Sequence, residues 1–178
     1  MSKKKLVTEM GRIDRDAFAQ SQKLPLVVVL DNVRSLHNVG SVFRTSDAFR
    51  VECIMLCGIT ATPPSAEIHK TALGAEDVVD WKYYESTMDA VAELRSQGYR
   101  IYSIELCQGS IALQDFVTAP GERYAVVLGN EVKGVQQDVV DASDGAIEIP
   151  QFGTKHSLNV SVTAGMVIWE FAKKLGLV

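Results

Sequence analysis

Residues 26–30 read Leu-Val-Val-Val-Leu, an unbroken apolar run closed by Asp31 and Asn32. A strand with one solvated face alternates apolar and polar residues. A continuous run of this kind is the pattern of a parallel strand covered on both faces. It returns in Tyr124-Ala125-Val126-Val127-Leu128, and Val51–Cys57 and Arg100–Leu106 read as further strands, with shorter ones at Val78–Tyr83 and Ala146–Ile149. Helical spacing fills the intervals. Asn38–Phe49 carries Val39, Val42, Phe43 and Phe49 near that period, with Asn38 placed to cap it. A short helix is expected around Ser65–Leu73, and an amphipathic one over Thr87–Gln97 stopped by Gly98. Gln136–Ala142 follows, and Leu158–Leu175 is the longest, closed by Gly176. This alternation predicts an α/β domain built on a mostly parallel sheet flanked by helices.

The chain has 178 residues, 47% hydrophobic and 22% charged. That is about one domain's worth of polypeptide, able to bury roughly 70% of its unfolded surface. Such a composition excludes a disordered chain, a collagen and a disulfide scaffold. No apolar run approaches the ~18–20 residues of a membrane span, and polar residues from Thr8 onward leave no signal-peptide core behind Lys3-Lys4-Lys5. The expectation is a cytoplasmic protein with a domain over residues 25–178, preceded by a basic extension over residues 1–24.

Three cysteines cannot form a framework. On a strand, Cys53 and Cys57 stand roughly 13 Å apart, beyond the ~7 Å reach of a disulfide. His37, His69 and His156 show no metal-ligand spacing with one another or with the cysteines, so no metal is expected. The net charge of -4 conceals a division. Residues 1–24 carry six basic against three acidic side chains, residues 76–148 carry five against fourteen, and residues 149–178 carry three against one. The whole chain lacks the basic footprint of a nucleic-acid binder, but its flanks leave room for a local positive patch.

In open parallel sheets the ligand crevice lies beyond the carboxyl ends of the strands. Four loops occupy that end: Asp31–Gly40, Leu106–Ser110, Gly129–Gly134 and Pro150–Asn159. Their glycines, Gly40, Gly109, Gly129, Gly134 and Gly153, would let the backbone approach a ligand closely. Neither the Gly-x-Gly-x-x-Gly fingerprint nor a P-loop is present, which disfavours a dehydrogenase-like nucleotide enzyme. The loops gather Asn38, Arg44, Asn130, Glu131, Lys133, Ser157 and Asn159. Each has an ordinary reading: a helix cap for Asn38 and Ser157, a surface ion pair for Arg44, solvated turn charges for Glu131 and Lys133. Their convergence at one end of a sheet is what suggests a site.

Three segments carry a resemblance: NVRSLHNVGSVFRTSDAF (32–49), VLGNEVKG (127–134) and IPQFGTKHSLNVSVTAG (149–165). In order and combination they resemble the three motifs of the SPOUT superfamily, TrmH/SpoU branch, whose members are RNA ribose 2′-O-methyltransferases that use S-adenosylmethionine. The resemblance implies a deep trefoil knot in the carboxyl-terminal third, and a homodimer whose sites draw on both subunits. It implies a cofactor held mainly by backbone near Leu106, Gly129, Ile149 and Leu158. It also implies a catalytic pocket containing Asn38, Arg44, Glu131, Ser157 and Asn159, working on tRNA or rRNA without a metal. Arginine's pKa above ~12 makes it a poor base. Arg44 is therefore expected to act as a planar fork that grips a phosphate and stabilises a developing oxyanion. The alternative is a non-catalytic RNA- or cofactor-binding knotted protein. No separate amino-terminal RNA-binding domain is expected with these motifs, and the acidic middle leaves the identity of the RNA open.

Overall fold

A computed structural model describes residues 2–178. Seven strands form one sheet, every pairing parallel: β1 (Leu24–Asp31), β2 (Val51–Cys57), β3 (Trp81–Tyr84), β4 (Tyr99–Ile104), β5 (Ile111–Ala112), β6 (Arg123–Leu128) and β7 (Gly145–Glu148). Their order across the sheet is β3-β2-β1-β6-β4-β7-β5. Among the described residues six α-helices accompany them: α1 (Arg15–Gln20), α2 (Leu36–Ala48), α3 (Ala66–Ala72), α4 (Thr87–Ser96), α5 (Gln137–Ala142) and α6 (Val160–Lys174).

The apolar run at Leu26–Leu30 lies in β1, an interior strand of this sheet. Val28 pairs with Ile54 of β2 on one side and Val126 of β6 on the other. Alternate residues enter separate cores. Leu26, Val28 and Leu30 pack with Val39 and Phe43 of α2 and Val167 and Phe171 of α6. Val27 and Val29 pack with Val91 and Leu94 of α4 and Val139 of α5. Two covered faces explain why no polar residue interrupts β1.

Several boundaries differ from the sequence reading. Helix α2 begins at Leu36, and its cap is Ser35, whose hydroxyl accepts the Asn38 backbone N–H at 3.3 Å. Asn38 lies inside the helix rather than capping it. The strand expected at Val78–Tyr83 is Trp81–Tyr84, because a 3-10 turn at Ala75–Asp77 carries Val79 into the core first. Helix α6 starts at Val160, and its cap is Asn159, not Ser157. The two-residue β5 is too short for periodicity to reveal. Within residues 1–24, α1 is capped by Asp14, and Phe18 is buried in the main core. Cys53, Cys57 and Cys107 are free thiols, and burial pushes Cys53 and Cys57 up to about 12. Among the described residues no helix is long and apolar enough to cross a membrane.

Candidate active site at the carboxyl ends of the strands

The chain leaving β6 makes a tight hairpin. Asn130 and Gly134 exchange backbone hydrogen bonds of 3.0 and 2.9 Å, and the Asn130 side-chain oxygen accepts the N–H groups of Val132 and Lys133. The hairpin projects Glu131 onto the start of α2. There its carboxylate accepts the backbone N–H groups of Arg34 and Ser35, each at 3.0 Å, and the Asn38 amide N–H at 3.1 Å. An anion is favoured at a helix amino terminus, where unpaired N–H groups converge. Burial pushes the Glu131 carboxyl up, but the backbone donors and the Asn38 amide outweigh it and hold the group below the usual carboxylate range.

The same Asn38 side chain meets the third motif. Asn159 Nδ2 donates to Asn38 Oδ1 at 3.1 Å, while Asn159 Oδ1 caps α6 by accepting from Ser161 N and Val162 N. Glu131, Asn38 and Asn159 thus form one hydrogen-bonded line joining the three sequence motifs. Asn38 is buried and the line's outer members reach solvent.

Beside this line lies a cavity of about 470 Å³, within the range of small-molecule sites. It opens over the ends of β4, β6 and β7, and its walls include Leu106, Gly129, Ile149 and Leu158 together with Glu131 and Ser157. Part of the wall comes from the loop over residues 150–158, which makes no hydrogen bond with any described residue. Its backbone N–H and C=O groups are therefore available to a bound molecule. Apolar side chains at Leu106, Ile149 and Leu158 suit a purine face, and free backbone groups with the carboxylates of Glu131 and Glu148 suit the polar edges and positive charge of a sulfonium nucleoside, so these residues fit S-adenosylmethionine.

Arg44 stands apart. It is exposed on α2, makes no hydrogen bond or ion pair among the described residues, and does not line the cavity. Six residues from Asn38, it points roughly 120° away from it around the helix axis. Ser157 lies on the cavity wall without a side-chain partner, and the exposed His156 lines the same wall.

Two of the glycines meet the protein's own chain closely. A Cβ at Gly129 would lie 2.1 Å from both the Gly134 carbonyl carbon and the Val135 nitrogen. One at Gly40 would lie 2.2 Å from Thr71 Oγ1 and 2.3 Å from the Ile68 carbonyl oxygen, on the facing helix α3. These positions admit the protein's own backbone, whereas Gly109 and Gly153 face open space. The sequence reading also passed over two carboxylates, Asp31 and Glu105. Their one signal was an acidic residue at the end of an apolar strand.

A parallel sheet whose carboxyl ends frame a cavity, walled by free backbone and bordered by an ordered polar line, defines an α/β ligand-binding domain. The SpoU rRNA Methylase family model matches residues 25–169. The chain is 30% identical over 158 residues to the tRNA (guanosine(18)-2′-O)-methyltransferase of Aquifex aeolicus, covering 88% of this chain and 72% of that protein. It is 29% identical over 170 residues to the 23S rRNA (guanosine-2′-O-)-methyltransferase RlmB of Vibrio parahaemolyticus, covering 96% and 68%. Its fold superposes with a TM-score of 0.79 on the S-adenosylmethionine-bound rRNA methyltransferase of Sinorhizobium meliloti, at 27% identity, covering 90% of this chain and 60% of that one. The chain belongs to the SpoU rRNA Methylase family. It spans about two thirds of the length of these relatives.

Proposed function

We propose that this chain is an S-adenosylmethionine-dependent methyltransferase acting on a ribose 2′-hydroxyl of tRNA or rRNA as a homodimer. The observation that carries the reading is the Glu131–Asn38–Asn159 line at the edge of a cavity suited to the cofactor. When bound, S-adenosylmethionine supplies an electrophilic methyl group on a positively charged sulfonium. The protein's task is to align the ribose oxygen with that methyl and to ease loss of its proton. Arg44 grips a phosphate and stabilises the developing oxyanion with its planar donors, and the proton passes to phosphate or water. Asn38 and Asn159 fix the α2 and α6 ends that border the cavity, Glu131 anchors the hairpin, and Ser157 orients the substrate at the cavity wall. Backbone near Leu106, Gly129, Ile149 and Leu158 holds the cofactor.

Arg44 and α6 together support dimerisation. Arg44 cannot serve the cavity of its own chain while it points away from Asn38. Helix α6 packs beside α2, with Phe49 and Trp169 in edge-to-face contact at 5.7 Å. It exposes Val162, Met166 and Trp169 to 50, 45 and 48%. Burying this apolar stripe against a second copy would carry Arg44 towards the partner's cavity. The strand order supports a knotted carboxyl-terminal third. After completing β4 and β5 the chain returns to place β6 between β1 and β4, then places β7 beyond β4.

Charge supports an RNA substrate. Arg15, Lys70, Lys82, Arg100, Arg123, Lys173 and Lys174 are all engaged in ion pairs. Arg34, Arg44, Lys133 and Lys155, on the motif segments, make none among the described residues, which leaves their charge for phosphates. The test is transfer of a labelled methyl group from S-adenosylmethionine to unmodified total RNA, followed by digestion and identification of 2′-O-methylated nucleotides. Label in a ribose 2′-O-methyl is the expected result. Calorimetric cofactor binding with no transfer to any RNA would favour a non-catalytic binding protein instead.

A further inference from the structure

Strand β6 lies between β1 and β4, and each of these neighbours ends in a carboxylate that reaches across to the chain leaving β6. Asp31, the last residue of β1, is fully buried and accepts Gln136 N and Gln136 Nε2, each at 2.8 Å. Glu105, the first residue beyond β4, accepts Val135 N at 3.0 Å through Oε2. Two adjacent backbone amides are thus held from opposite sides by two carboxylates. Glu105 does more, because its Oε1 accepts Leu106 N at 2.9 Å. One side chain therefore joins the cavity wall that follows β4 to the wall that follows β6. Its carboxylate also fills the space over Gly134, where φ is +69° and a Cβ would lie 2.2 Å from Oε2.

We infer that Glu105 is a positioning residue for the cofactor cavity, setting the separation between the Leu106 wall and the Gly129–Val135 wall. The inference rests on the reading of that cavity as the S-adenosylmethionine site. Each carboxylate oxygen accepts one backbone N–H, and through these two bonds Glu105 fixes the spacing of the walls. A glutamine at this position accepts from one amide only and turns an NH2 against the other. An alanine releases both.

Glu105→Gln should weaken S-adenosylmethionine and S-adenosylhomocysteine by the same factor, about tenfold, and Glu105→Ala by more, as lost hydrogen bonds of ordinary strength require. Calorimetry with both ligands reads this, with circular dichroism confirming that each variant is folded. Unchanged affinity in a folded variant would overturn the inference. So would a loss confined to the sulfonium ligand, which would mean direct charge contact, or a loss in Glu105→Ala with none in Glu105→Gln, which would mean simple space filling. Amide hydrogen exchange in the unliganded wild type provides a measurement independent of folding in the variants. Leu106 and Val135 should be protected while residues 152–158 exchange freely, and free exchange at Leu106 and Val135 would remove the clamp. If the wild type binds neither ligand, the cofactor reading fails, while exchange still decides whether the clamp exists.

Discussion

Asn159 donates its side-chain N–H to the Asn38 side-chain oxygen at 3.1 Å, across 121 positions of sequence. The direction of this bond is fixed from both ends. Glu131 is a carboxylate and can only accept, so Asn38 must turn its NH2 towards Glu131 and its oxygen towards Asn159. Asn159 commits its own oxygen to capping α6, so only its NH2 is free for Asn38. The position of α2 relative to α6 at the edge of the cavity thus depends on two amides that cannot be inverted.

Asn38→Asp is nearly isosteric and sets one carboxylate against another. It should cost ~1–3 kcal/mol of unfolding free energy, the range for leaving partly buried hydrogen-bonding groups without partners. Methyl transfer should fall by at least ~100-fold. Urea unfolding and single-turnover transfer read the two effects. A variant as stable and active as wild type would separate the polar line from function.

Glu131 gives a pH signature. Its carboxyl is held below the ordinary value of 4.5 in the folded chain, so its contribution to stability is complete above that value and fades as pH falls through the lower folded value. The stability difference between wild type and Glu131→Gln should stay level from about pH 7 to about pH 5 and shrink on further acidification. Denaturant unfolding across that range measures it. A difference that grew on acidification would contradict the hydrogen-bonded carboxylate.

Arg44 makes no hydrogen bond or ion pair among the described residues, so Arg44→Lys and Arg44→Ala should both leave stability within about 0.5 kcal/mol of wild type. Both should lose at least ~100-fold in transfer, because lysine lacks the planar pair of donors. Mixing inactive Arg44→Ala with inactive Glu131→Gln protomers should restore roughly a quarter of wild-type activity, since half the dimers are mixed and each holds one intact site. No recovery on mixing would place Arg44 in the site of its own subunit.

Light scattering of the wild type at micromolar concentration should return about twice 19.5 kDa. Trp169→Glu places a charge in the middle of the exposed stripe of α6 and should give a folded monomer without transfer activity. A wild-type monomer that transfers methyl groups would overturn the shared site.

The sequence by itself determined the elements whose patterning is local and strong. Val51–Cys57 is a strand over the residues expected, and the run around Leu26–Leu30 is an interior strand, because burial on both faces leaves a continuous apolar signature. It also placed the three motif segments at one end of the sheet. Tertiary structure decided their partnerships. Asn38 near a helix start reads equally well as a cap or as a side chain awaiting a distant partner. Ser35 takes the cap, and Glu131 and Asn159 become neighbours of Asn38 only because the order β1-β6-β4-β7 brings their loops beside α2. Glu105 and Asp31 were invisible for the same reason, since an acid at a strand end gains meaning only when the amides of Val135 and Gln136 lie opposite. Periodicity records which face of an element is buried, a property of nearby residues. A hydrogen bond across ninety or more positions depends on strand order, which no local pattern encodes.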